Sequence, residues 1–153
     1  MIRLVVLDID GVLTNGEVRL DEDGRESKAL HFQDIDAVFA ARRAGLSVAL
    51  LTGEDTPIVD AIARKLEVEL VYRGRHDKAD ALTELADVAG MRLDETCYVG
   101  DSVRDAPALE AAGLGLAPAD ASSEARAAAD EVLEAGGGRG AVAEAVALLL
   151  ESS

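Results

Sequence analysis

The feature that most constrains this chain is a strict alternation of short apolar runs with stretches whose apolar residues recur every three to four positions. Such runs read as buried strands and such stretches as amphipathic helices, and their alternation is the pattern of βαβ units closing on a mainly parallel sheet. The predicted strands cover residues 2–7, 47–51, 70–72, 96–99, 113–116 and 131–133, and the predicted helices 36–44, 57–66, 78–89, 106–112 and 141–150. Pro57 suits a first helical turn, where no backbone N–H is missed. One stretch breaks the alternation. Residues 17–20, the turn from Asp21 to Gly24 and residues 25–32 read as an antiparallel hairpin inserted after the first strand. The fold class expected is therefore α/β: a single Rossmann-like parallel sheet flanked by helices, with a hairpin flap at about 16–32 that is too short to be a domain.

At 153 residues the chain is expected to form one domain over 1–153, large enough to sustain a core without staples. Cys97 is the only cysteine, so no disulfide forms within the chain, and a reducing, cytoplasmic setting is expected. Lying in an apolar run, it reads as a small buried hydrophobe. The longest early apolar run, from Leu4 to Leu7, stops at Asp8, far short of a membrane span. Fifteen basic against thirty acidic residues leave a net charge of −15, which repels nucleic acid and disfavours any anionic substrate unless a cation or a basic cluster reverses the field locally. Gly136, Gly137 and Gly138 read as a flexible loop before the last helix.

In an open α/β sheet ligands collect beyond the carboxyl ends of the strands. There the chain places Asp8-Ile9-Asp10-Gly11 after the first strand, Thr52-Gly53-Glu54 after the second, Arg73 to Lys78 after the third and Gly100-Asp101-Ser102-Val103-Arg104-Asp105 after the fourth. On an extended segment Asp8 and Asp10 share one side, and their mutual repulsion is relieved by a divalent cation; Mg²⁺ takes one or two carboxylates and a substrate phosphate oxygen. Asp101 supplies a further carboxylate. Such a site suits phosphoryl transfer, with one carboxylate attacking phosphorus and another serving as acid and base. Thr52 is placed to bind a phosphate oxygen and Lys78 to neutralise its charge. The cluster from Arg73 to Lys78, with four potential cations in six residues, meets the electrostatic condition. Asp-x-Asp-Gly by itself arises by chance about 0.15 times in a chain of this composition; its position directly after the first strand, together with the other motifs, carries the argument. His76 and His31 read as loop residues.

These motifs, in this order, resemble the haloacid dehalogenase superfamily of aspartate-nucleophile phosphatases over essentially the whole chain. The resemblance implies that Asp8 is the nucleophile, Asp10 the general acid and base, and Thr52, Gly53 and Lys78 the phosphate binders. It implies a Mg²⁺ site formed by the Asp8 carboxylate, the Asp10 backbone carbonyl and Asp101, with Asp105 as supporting acid. Within the superfamily, the short hairpin in place of a cap domain, residues 32–36, the Asp77-Lys78 pair and residues 137–142 look like the sugar-acid phosphatases that act on 3-deoxy-D-manno-octulosonate 8-phosphate or nonulosonate 9-phosphates, so no cap domain is expected. Glu54 after Thr52-Gly53 is similar to the nonulosonate branch, whereas the octulosonate branch commonly has Arg there; Ile35 and Ala37 also depart from the family pattern. Those relatives are tetramers in which a neighbouring subunit covers the open site. The resemblance thus implies a homotetramer, with Glu54, Lys65, Arg64 and Arg139 as candidates for substrate specificity.

Three other readings compete: a phosphatase of the same superfamily with another small phosphate ester, a phosphoacceptor receiver domain and a catalytically silent scaffold. A receiver carries its phosphoacceptor after the third strand, where this chain has Arg73. The presence of every motif residue disfavours the scaffold.

Overall fold

The computed structural model describes residues 1–152. Its main sheet has six strands, β1 (Leu4–Leu7), β4 (Ser47–Leu51), β5 (Val71–Tyr72), β6 (Thr96–Val99), β7 (Leu114–Ala117) and β8 (Glu131–Val132). All pair in parallel, in the spatial order β5-β4-β1-β6-β7-β8. Counted along the main sheet this is 3-2-1-4-5-6, the doubly wound Rossmann order, whereas receivers follow 2-1-3-4-5. The expected α/β class thus holds, and the receiver reading falls on topology as well as on motif order.

Period-two alternation sorts each strand between two cores. Val5 and Leu7 of β1 join Leu50, Cys97 and Val99 under α1 (Phe32–Arg43), α2 (Pro57–Leu66) and α6 (Ala141–Glu151). Leu4 and Val6 join Ala49, Leu51 and Tyr98 under α3 (Lys78–Val88), α4 (Ala106–Ala111) and α5 (Ser123–Ala128). A central strand covered on both faces must be apolar at every position, which is why β1 is an unbroken run. Cys97 is fully buried, and burial pushes its thiol pKa up, so it packs as an inert hydrophobe.

Helix α1 begins at Phe32, four residues before the predicted start. The cap is His31, whose Nδ1 accepts from the Gln33 backbone N–H at 3.1 Å, a role the usual Ser, Thr, Asp and Asn signals do not reveal. Asp34, fully buried in the first turn, accepts from the backbone N–H groups of Gly140 and Ala143 at 3.3 and 3.0 Å and ties α1 to the start of α6. Helix α5 was not predicted; Ser122 Oγ caps it by accepting from Ala125 N at 3.1 Å.

The hairpin forms, with a shorter ladder than predicted: β2 (Arg19–Leu20) pairs antiparallel with β3 (Glu26–Ser27), and Phe32 belongs to α1. Asp21 Oδ1 closes the turn by accepting from Asp23 N and Arg25 N at 2.9 and 2.8 Å. The glycine loop before α6 is a correction, because it is a packed clasp instead of a flexible linker. A Cβ on Gly137 would lie 1.9 Å from the Gly11 carbonyl oxygen, and Gly138 N donates to Val12 O at 3.0 Å. Only a residue without a side chain allows this approach.

Candidate active site

The order of connection reverses between β1 and β6, and a crevice opens outside the carboxyl ends of strands at such a point. A cleft of about 420 Å³ lies there, lined by Asp8 just after β1, Thr52 and Gly53 just after β4, Lys78 at the start of α3 and Asp101 just after β6, together with Asp10, Glu54, His76 and Arg104. The sequence-predicted Asp8, Asp10, Thr52, Gly53, Glu54, Lys78 and Asp101 are therefore brought to one place.

Asp8 and Asp10 reach it in a way the strand argument did not foresee. The chain leaves the sheet at Asp8 and enters a wide turn in which Thr14 N donates to Ile9 O at 3.1 Å. Gly11 takes φ +83° there, and a Cβ on it would lie 1.7 Å from Asp101 Oδ2. The glycine of Asp-x-Asp-Gly thus serves both the left-handed turn and the approach of the third carboxylate. Asp8 is buried, its Oδ1 accepting from Ile9 N at 2.7 Å and its Oδ2 lying 3.5 Å from Lys78 Nζ.

Asp105 organises the floor. Fully buried, it accepts from Lys78 Nζ at 2.8 Å, from the Tyr98 hydroxyl, and from Asp101 N and Ser102 N at 2.9 and 3.1 Å. Burial opposes its charge, yet Lys78 outweighs burial and holds its pKa down at about 2. Burial likewise opposes the charge of Lys78, and Asp8 and Asp105 outweigh it, so the ammonium stays protonated. Asp8 moves the other way: burial first and the charge of Asp105 second raise its pKa well above the usual carboxylate range. The same two causes push Asp101 up to about 7.

One carboxylate oxygen from each of Asp8, Asp101 and Asp105 lies within 4.8 Å of the others. Three crowded carboxylates, two of them holding protons beyond their normal range, form a donor set that fits a small, oxygen-seeking divalent cation. The Asp10 side chain is not part of this set, which corrects the paired-carboxylate argument. Its charge is met by Lys28, whose Nζ lies 2.8 and 3.0 Å from the two Asp10 oxygens and 2.6 Å from Glu54 Oε2. The Lys28 side chain is only 3% exposed. Sequence reasoning missed Lys28, because which hairpin side chain folds down onto the cleft depends on the path of the flap. Tyr98 was also missed; its position inside an apolar strand conceals the hydroxyl.

The basic cluster is divided. Arg73 pairs with Asp55 and Asp60, and Arg75 with Asp77 and Glu84, both outside the cleft, so only His76 and Lys78 of that run face it. Arg64 and Lys65 lie in the last turn of α2. That helix runs about 15 Å away from the carboxyl edge, so neither reaches the cleft of its own chain. Arg139 is exposed on the glycine loop and does not line the cleft. Thr52 is buried at the cleft floor, its Oγ1 accepting from Glu54 N at 3.2 Å.

Comparison with known proteins agrees with this geometry. Residues 25–113 match the haloacid dehalogenase-like hydrolase family. The chain is 35% identical to the 3-deoxy-D-manno-octulosonate 8-phosphate phosphatase of Haemophilus influenzae over 99% of its own length and 84% of that protein. With the Escherichia coli K12 enzyme of the same name, identity is 36% over 97% of this chain and 79% of the other. The crystal structure of the Moraxella catarrhalis phosphatase, in complex with magnesium, phosphate and 3-deoxy-D-manno-octulosonate, superposes with a TM-score of 0.95 at 32% identity, covering 99% of this chain and 87% of that one. A haloacid dehalogenase family hydrolase from Streptomyces avermitilis superposes with a TM-score of 0.90 at 37% identity, over 95% and 89% of the two chains. The chain therefore belongs to the haloacid dehalogenase-like hydrolases, in the phosphatase branch of these relatives.

Proposed function

We propose that the phosphatase activity of this chain is directed at a small sugar-acid phosphate, through an aspartyl-phosphate intermediate on Asp8. The observation that carries the reading is the placement of the Asp8 carboxylate, 3.5 Å from Lys78 and inside a three-carboxylate cluster beside Thr52, at the reversal point of the sheet. Among substrates, 3-deoxy-D-manno-octulosonate 8-phosphate is favoured by the named relatives. A nonulosonate 9-phosphate is the second reading, favoured by Glu54.

On this proposal an Asp8 carboxylate oxygen attacks phosphorus while Lys78, Thr52 and the Gly53 backbone hold the phosphoryl oxygens. The bond from phosphorus to the sugar oxygen breaks, its electron pair leaves on that oxygen, and Asp10 delivers a proton to it. Asp10 then takes a proton from water as that water attacks phosphorus, which releases phosphate and restores the Asp8 carboxylate. Asp105 acts through others: it fixes Lys78 and the backbone of Asp101 and Ser102. The Asp8 and Asp101 carboxylates and the Asp10 backbone carbonyl would hold Mg²⁺, which when bound supplies positive charge that offsets the carboxylates and the phosphoryl group.

The test is phosphate release with Mg²⁺ across octulosonate 8-phosphate, nonulosonate 9-phosphate, hexose phosphates and nucleotides. We expect selective turnover of one sugar acid, lost by at least about 10³-fold in a folded Asp8→Asn variant. Broad turnover with no preference for a sugar acid would reject the substrate class, and near-normal activity of Asp8→Asn would reject the nucleophile.

A further inference from the structure

Two cleft residues have no part in the chemistry described so far. Arg104 sits in the single turn after β6, and His76 in the loop between β5 and α3, 28 positions away in sequence. Arg104 Nη1 lies 2.9 Å from His76 Nδ1. A guanidinium carries only donors, so Nδ1 accepts and the imidazole proton resides on Nε2. Both residues line the cleft, and their contact leaves an imidazole N–H and the remaining guanidinium N–H groups without a partner in it among the described residues. The imidazole is seated against the Thr52-Gly53 turn: a Cβ on Gly53 would lie 2.9 Å from His76 Nδ1. Both residues are exposed, whereas Thr52 and Lys78 are buried at the floor.

The lysine at the cleft floor and the flap lysine beside Asp10 are already engaged. Lys78 is held by Asp105 and Asp8, and Lys28 by Asp10 and Glu54. Arg104 forms no ion pair with a carboxylate among the described residues, though the chain carries a net charge of −15. A guanidinium fork free of carboxylate partners and braced by the His76 imidazole is a fitting receptor for a planar carboxylate, which it meets with two parallel hydrogen bonds.

We propose that Arg104 and His76 form a second anion subsite, which receives the carboxylate of a substrate whose phosphate ester lies at Asp8, Thr52 and Lys78. The inference rests on the sugar-acid reading and deepens it by assigning the recognition of the acid group to residues of this chain's own cleft. In a strongly acidic protein such a subsite separates sugar-acid phosphates from neutral sugar phosphates by charge.

The experiment is calorimetric titration of the wild-type protein, Arg104→Gln and Arg104→Lys with free 3-deoxy-D-manno-octulosonate and, separately, with inorganic phosphate, both with Mg²⁺ present. Loss of a charge-assisted hydrogen bond predicts that Arg104→Gln weakens sugar-acid binding at least about tenfold, while phosphate binding changes by less than about twofold. Arg104→Lys keeps the charge without the fork and falls between. Equal weakening of both ligands would place Arg104 at the phosphoryl group and overturn the proposal, as would no weakening of either. Turnover separates this from the parent reading. If the wild type hydrolyses the sugar-acid phosphate while Arg104→Gln binds the free acid normally, only the subsite falls. If the wild type neither binds the acid nor hydrolyses its phosphate, the sugar-acid reading falls and the subsite with it.

Discussion

Replacing Lys78 by Met removes the positive charge from the cleft floor and keeps most of the side chain's bulk. The ammonium is almost entirely buried, 2.8 Å from Asp105 and 3.5 Å from Asp8, with the Tyr98 hydroxyl 3.3 Å away. Removing one partner of a buried ion pair leaves an uncompensated charge and costs about 3–5 kcal/mol. Asp8, Asp101 and Asp105 would then face one another without a cation. For a domain of this size that corresponds to a fall in Tm of about 6–20 °C. The assay is urea unfolding at pH 7.5 in EDTA, repeated with Mg²⁺. We expect the full loss in EDTA and a partial recovery with Mg²⁺, because a divalent ion supplies charge to the same carboxylates. A loss below about 1 kcal/mol in EDTA, with an unchanged m-value, would show that Lys78 is not the counter-charge of this cluster.

Three further outcomes follow from the same contacts. Asp101 has its pKa raised to about 7, so the folded metal-free protein holds a proton that the unfolded chain releases near the normal carboxylate value; its stability should fall as pH rises from about 4 to 7, by about 2 kcal/mol once solvent screening is allowed for, and Mg²⁺ should flatten the slope. Asp105 acts in the opposite sense, its contribution being present above the normal carboxylate pKa and lost as pH falls toward about 2, so thermal melts across pH 2–8 in EDTA should show a maximum on the acid side of neutrality. Gly137→Ala drives a methyl group to 1.9 Å from the Gly11 carbonyl, and since both sides are backbone we expect a loss of about 2 kcal/mol or more by urea unfolding, with turnover reduced at least about tenfold through displacement of Asp10. We further propose that the open cleft is covered in a tetramer, with Val18 and Leu20 of the flap and Phe32 beside it, all exposed in the single chain, at the contact; light scattering should return four times 15.9 kDa, and a monomeric mass would reject the assembly.

How much of this was legible beforehand differs by element. Strands β4 and β6 and helix α2 have the bounds that the apolar pattern assigns, because each is buried by its own periodicity and ended by a polar or proline signal. Helix α1 was misplaced by four residues because its cap is a histidine and its first turn holds a buried Asp34 whose partners lie more than 100 positions away. The polar residues after each strand named the cleft, since topology forces strand ends to one edge. Which cations serve it was not legible: Arg73 and Arg75 turn to surface carboxylates, while Lys28 folds onto Asp10 and Glu54 and the exposed Arg104 lines the cleft.

The α/β class, the edge of the sheet where chemistry gathers and the residue types delivered there are all written in the sequence, because they follow from local periodicity and from residues adjacent to strands. Tertiary structure alone decided that Asp10 answers to Lys28 while Asp105 completes the carboxylate cluster, and that the glycine loop clasps the Asp8–Gly11 turn. The physical reason is range. Backbone periodicity is written within a few residues, whereas charge pairing and close backbone approach depend on segments that meet only after the chain has folded.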